Sequence, residues 1–188
     1  RMGELGLKTD LEERIIEEEN WNARWEESIE PLGVGPFLIT PSWHEAPPDH
    51  DARYVLEIDP KMAFGTGYHE TTRLLLRFIP DLVTEGAHVL DAGTGTGILA
   101  MAAVRCGAGR VVAFDVDEWA VRNATENIKR NGSSDRITIL HGGLDVVPEE
   151  CFDLMLVNIN RNVILNDLPG YVRRLREGGT VALSGLLL

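Results

Sequence analysis

The run Val89-Leu90-Asp91-Ala92-Gly93-Thr94-Gly95-Thr96-Gly97 ends an apolar segment on an acid and follows it with a glycine-rich turn. Such a turn brings the backbone close to a ligand, because glycine has no Cβ and accepts left-handed conformations. Further along, Val111-Val112-Ala113-Phe114-Asp115 ends a second apolar run on another acid, where a carboxylate accepts hydrogen bonds from both hydroxyls of a ribose. Together the two segments read as a nucleotide site. The glycines at 93, 95 and 97 do not fit the dinucleotide pattern G-x-G-x-x-G, whose third glycine position is occupied by Ile98. That pattern delivers a pyrophosphate to a helix N-terminus. An acid directly before the loop, Asp91, suits a cationic ligand better.

Other polar residues fall at the same kind of place. Leu154-Met155-Leu156-Val157 is apolar and then gives way to Asn158-Ile159-Asn160. In an open α/β sheet the carboxyl ends of the strands gather the ligand. The amide carbonyl of Asn158, or a main-chain carbonyl beside it, can accept a hydrogen bond from an incoming amine. The alternative is that Asn158 caps or turns the chain. In His141-Gly142-Gly143-Leu144-Asp145, Asp145 either bonds an exocyclic amine of a purine or bonds nearby backbone N–H groups, as acids in turns do. Asp117, followed by Glu118, favours the positive end of a helix dipole.

These residues need a scaffold that lines up strand ends. From His88 onward strand and helix patterns alternate as βαβ units, which gives an α/β, doubly wound, Rossmann-like and mostly parallel sheet with helices on both faces. Strands are predicted at His88–Asp91, Arg110–Phe114, Ile137–His141, Phe152–Asn158 and Thr180–Leu186. Helices are predicted at about 97–106 and 118–131, with a helical region around Pro169. The chain stops on Leu186-Leu187-Leu188, in apolar strand-like sequence, so further C-terminal strands or another chain are expected to cover that edge.

Upstream, Thr9-Asp10-Leu11-Glu12 has the form of a capping box and opens an acidic amphipathic helix over residues 10 to 28. Pro31, Gly33, Gly35 and Pro36 break it, Phe37-Leu38-Ile39 reads as a short strand, and prolines at 41, 47 and 48 mark a turn-rich connection. Tyr54 to Ile58 alternates as a strand. Phe64-Gly65-Thr66-Gly67 forms a second glycine loop leading into a helix over about 70–79. The expected division is an appendage over residues 1–50 and a ligand-binding domain over 51–188.

At 188 residues the chain supports one such domain with an appendage. A net charge of −12 argues against an extended surface for nucleic acid and fits a basic protein partner or an acidic surface serving solubility. No apolar run approaches the roughly 20 residues that span a bilayer. Two isolated cysteines form neither a disulfide framework nor a C-x-x-C metal pair, so a cytoplasmic protein without a resident metal is expected.

The D-x-G-x-G-x-G turn resembles the first motif of class I S-adenosylmethionine-dependent methyltransferases. Met62-Ala63-Phe64-Gly65-Thr66-Gly67-Tyr68-His69-Glu70-Thr71-Thr72 narrows this. With the tryptophan-bearing segment Trp21 to Trp43, Phe114-Asp115-Val116-Asp117, the Asn158 segment and Leu183-Ser184-Gly185-Leu186, it is similar to the ribosomal protein L11 methyltransferase family from about residue 21 onward. That resemblance implies S-adenosylmethionine as cofactor and methyl transfer to lysine or N-terminal amino groups of L11. Phe64, Thr66, Gly67 and His69 would border the cofactor. Asp91 and Gly93, with Gly95 and Gly97, would hold its amino acid end. Asp115 would take the ribose, Asp145 the adenine, and Asn158 would both border the cofactor and be the catalytic residue at the methyl acceptor's entrance. Full-length family members carry an N-terminal domain that grips the ribosomal protein and continue beyond the L-S-G-x-L strand; here a shortened acidic lead-in precedes Trp21. Other enzymes of this cofactor act on different protein lysines or small molecules, and a catalytically silent binding module is a third reading.

Overall fold

The structure, a computed structural model, describes residues 29–61, 65 and 67–185. The predicted helix over 10–28 and the residues Phe64, Thr66 and Leu186 lie outside the described residues.

The chain first forms a three-stranded sheet. β1 (Leu32–Val34) pairs antiparallel with β2 (Phe37–Thr40), and β2 pairs in parallel with β3 (Tyr54–Glu57). β1 was not expected. Its glycine and prolines read as a helix break, but Gly35 at φ 55° turns the chain so that Val34 lies opposite Phe37. The expected division at residue 50 falls inside this sheet, between β2 and β3. The proline-rich stretch from 41 to 48 is therefore a crossover within one sheet, because the ladder hydrogen bonds of β3 go to β2. Helix α1 (Glu70–Leu82) follows and runs past the predicted end at Ile79, carrying Pro80 in its last turn.

The larger sheet is parallel and built as predicted. Its elements are β4 (His88–Ala92), α2 (Ile98–Arg105), β5 (Arg110–Asp115), α3 (Glu118–Arg130), β6 (Ile137–His141), β7 (Phe152–Val157), α4 (Arg161–Arg174) and β8 (Leu175–Leu183). The spatial order is β6-β5-β4-β7-β8. β8 begins five residues before the predicted Thr180, because Leu175 pairs with Phe152 and the next pair is Thr180 with Leu154. Arg176 to Gly179 thus oppose the single residue Asp153, as an extended bulge.

Period-two alternation sorts the strand residues between two cores. Val89, Val111, Ala113, Leu154 and Leu156 pack beneath α1, α2 and α3, whereas Leu90, Val112, Phe114, Met155 and Val157 pack beneath α4. Both faces are covered, which is why these strands are near-continuous apolar runs. Cutting Met155 or Leu156 back to alanine should cost about 2–5 kcal/mol, since both are fully buried.

Candidate active site

β4 is the switch point of the sheet. It pairs with β5 on one side and β7 on the other, so the chain departs in opposite directions and leaves a crevice at the carboxyl ends. A cavity of about 930 Å³ opens there. Its walls include Gly93 and Gly95 after β4, Phe114, Asp115 and Val116 at the end of β5, Asn158 and Ile159 after β7, and His69 and Thr71 from the upstream loop. With Gly143 from the loop after β6, residues from five predicted site segments therefore meet in one place.

The glycine turn hugs the sheet. Gly93 and Thr94 both donate backbone hydrogen bonds to the carbonyl of Phe114, at 2.9 and 3.0 Å. A Cβ on Gly93 would fall 2.1 Å from Cγ2 of Ile159, so no side chain fits between the turn and the loop after β7.

The two acids are held in different ways. Asp115 sits at the cavity wall, with Oδ2 accepting from Gly95 N–H at 2.9 Å and Oδ1 accepting from Asp117 N–H at 3.0 Å. Neither bond exhausts a carboxylate oxygen, so lone pairs remain for a diol. Asp91 is fully buried, on the strand face that carries Val89, and is not part of the cavity wall. Its Oδ2 accepts from Thr94 Oγ1 at 2.7 Å and from Ala100 N–H at 3.1 Å. Gly97 at the start of α2 has no side chain to cap that helix, and Asp91 reaches in from the strand to satisfy one of its free N–H groups. Burial pushes the Asp91 carboxyl up to about 7, against the lowering effect of Thr94 and Ala100. Its Oδ1 has no hydrogen-bond partner. A buried, unsatisfied carboxylate oxygen behind a glycine turn is what an ammonium group or a bound water bridging to one would complete.

Asn158 is clamped. Its Nδ2 donates to Thr72 Oγ1 at 3.1 Å, and its Oδ1 accepts from Ser184 Oγ at 2.6 Å. The two contacts hold the amide from both ends and leave one Oδ1 lone pair for another donor. Both partners stand in motifs visible in the sequence, yet 86 and 26 residues separate them from Asn158, so their role was not legible there.

The remaining candidates divide. His69 faces the cavity, its Nδ1 3.0 Å from Thr71 Oγ1. Gly67 is buried against Ile39 and Ile98, away from the cavity wall, and Gly97 packs on Ala124 and Ile128 of α3. Asp145 is exposed and absent from the cavity wall; its Oδ1 turns back over Gly143, within the short 3₁₀ turn Leu144–Val146. The acid that does reach the cavity from that side is Asp167 of α4, beside Val163. Helical spacing alone gave no sign of it.

The family model described as ribosomal protein L11 methyltransferase (PrmA) matches residues 4–188. The ribosomal protein L11 methyltransferase of Pelobacter propionicus is 45% identical over 180 residues, covering 92% of this chain and 57% of that protein. Its counterpart in Carboxydothermus hydrogenoformans is 38% identical over 188 residues, covering 100% of this chain and 62% of the relative. The crystal structure of a ribosomal protein L11 methylase from Lactobacillus delbrueckii subsp. bulgaricus superposes with a TM-score of 0.74 at 31% identity, covering 81% of this chain and 78% of that one. The chain spans roughly three-fifths of the length of the curated relatives it matches. With a match along nearly its whole length and the same fold, this chain belongs to the ribosomal protein L11 methyltransferase family.

Proposed function

We propose that this protein transfers methyl groups from S-adenosylmethionine to amino groups, lysine or N-terminal, of ribosomal protein L11. The observation that carries the reading is the clamped amide of Asn158 at the rim of a cavity whose opposite wall holds Asp115. S-adenosylmethionine supplies, when bound, a methyl group on a positively charged sulfur that a neutral amine can attack in line. The residues present fit that group: Asp115 for the ribose hydroxyls, Gly93 and Gly95 for close backbone approach, and Asp91, buried behind the turn, for a cationic amino end reached through a bridging water at its unpartnered Oδ1.

The task left to the chain is positioning and the exclusion of water. A lysine amine has an ordinary pKa of about 10.4, so the site must select the neutral form. Phe114, Val116, Ile159 and Val163 give the cavity apolar walls, which penalise an ammonium there. Asn158 Oδ1, held by Ser184, accepts one amine hydrogen and so turns the nitrogen lone pair toward the cavity. The proton leaves to solvent and no covalent intermediate forms on the protein.

Asn158→Ala should lower the methylation rate about tenfold to a hundredfold while changing cofactor affinity by less than about threefold, because the amide orients the acceptor alone. Incubation of the protein with purified L11 and isotope-labelled cofactor, read by mass spectrometry, tests the substrate. Labelling of a different protein or a small molecule would move the acceptor, and cofactor binding with no turnover on any acceptor would make the chain a silent binding module. With a ribosomal protein as acceptor, the expected location is the cytoplasm. No helix among the described residues is long and apolar enough to cross a membrane.

A further inference from the structure

The upstream loop, the glycine turn and the three-stranded sheet are closed into a ring of buried contacts. Thr96 is fully buried, and its Oγ1 donates to the carbonyl of Gly65 at 2.6 Å. The carbonyl of Thr96 accepts from Asn127 Nδ2 at 3.0 Å. Asn127, equally buried, also holds Asp59, accepting from its N–H at 3.1 Å and donating to its carbonyl at 3.2 Å, with Asn123 Oδ1 3.4 Å from the same Nδ2. Asp59 lies just beyond β3, whose partner β2 carries Ile39, and Ile39 closes the ring. A Cβ on Gly67 would lie 2.6 Å from Ile39 Cδ1, and a Cβ on Gly65 would lie 3.1 Å from Thr96 Oγ1. Gly65 and Gly67 adopt φ of 100° and 84°, so the loop is pressed between turn and sheet in a shape that side chains resist.

We propose that Thr96 is a positioning residue that couples the cofactor turn to the segment bearing His69, Thr71 and Thr72. The proposal rests on the cofactor reading above. A buried hydroxyl and a buried carbonyl that lose each other both pay the cost of an unmet hydrogen bond, and the loop carbonyl can recover it only by moving toward water. Such a move displaces Thr72, seven residues after Gly65, from the amide of Asn158. The hydroxyl at position 96 thus controls the acceptor side of the cavity without touching either reactant. Gly93 and Gly95, on the same turn, line the cofactor side.

The test is amide hydrogen exchange on the full chain with and without S-adenosylhomocysteine, following the turn from Asp91 to Gly97 and the segment from Gly65 to Thr72. The ligand should slow exchange in both segments of the wild type. In Thr96→Val it should still protect the turn, while protection of the upstream segment falls about tenfold, the cost of one buried hydrogen bond. Thr96→Ser, which keeps the hydroxyl, should restore that protection. Equal protection of both segments in Thr96→Val, or Thr96→Ser behaving as Thr96→Val, overturns the coupling. So does a wild type in which the ligand protects only the turn, an outcome that leaves the cofactor reading intact. A wild type that binds no ligand by calorimetry overturns both. Thermal melts establish that each variant is folded, and Thr96→Ala replaces Thr96→Val if the added methyl prevents folding.

Discussion

The two ends of the parallel sheet treat their charges in opposite ways. At the amino end, acids are paired with bases. Asp153 accepts from His88 N–H at 2.8 Å and pairs with Arg176, and Glu150 pairs with Arg110, whose Nε donates to His88 Nε2 at 3.1 Å. Burial holds the His88 imidazole below its ordinary pKa, and its ring stacks on Phe152 with centroids 4.4 Å apart. At the carboxyl end, Asp91 and Asp115 have no ion-pair partner among the described residues and are held by backbone N–H groups and one threonine. A carboxylate paired with arginine has little left to offer a ligand, whereas one held by backbone donors is oriented and keeps free lone pairs. The difference sets a charge-paired end of the sheet apart from the end at which the cavity opens.

The largest expected effect concerns Asp91. Its folded carboxyl, pushed up to about 7 from an ordinary 3.8, holds its proton more tightly than in the unfolded chain. Between those values the folded state binds more protons, so stability should fall as pH rises from about 4 to about 7 and level off above, by on the order of 4 kcal/mol. Asp91→Asn should flatten that slope. Denaturant titrations at pH 4.5 and 8 check this, and an unchanged slope in the variant would remove Asp91 as its source. A cation bound near Oδ1 favours the ionised form, so S-adenosylmethionine should bind more tightly at pH 8 than at pH 5.5.

Next is Asp115→Ala, which should weaken cofactor binding about a hundredfold by calorimetry, the worth of two hydrogen bonds to a charged acceptor. A loss below threefold would mean that the ribose is held elsewhere. The smallest effect is expected at the other end of the sheet. Glu150→Gln should change stability by less than about 1 kcal/mol and leave cofactor affinity unchanged, because its partner Arg110 is half-exposed. A cofactor effect as large as that of Asp115→Ala would erase the contrast between the two ends.

Most of the parallel sheet was legible because its signals are local. The ends of β4 and β5, each within one residue of its predicted place, follow from apolar runs broken by an acid, and the α2 and α3 boundaries follow from glycine, acid and basic residues in the terminal turns. β1 and the early start of β8 were hidden because their pairing partners, not their own composition, make them strands. The site divides in the same way. Asp115, Gly93, Gly95, Asn158 and His69 reach the cavity as their places at strand ends and loop led one to expect, while Asp91, Gly97, Asp145 and Gly67 do not line it, and Asp167 enters from a helix.

The amino acid order alone established the alternation of strands and helices, the spacing that rejects a dinucleotide, and the presence of acids at strand ends, since each depends on residues within a few positions of one another. Tertiary structure decided what those residues do. Alternation turned Asp91 inward to cap α2 and left Asp115 at the cavity, and packing across 86 residues brought Thr72 to Asn158. Orientation and partnership at such separations are set by how whole layers pack, and no local window of sequence contains that information.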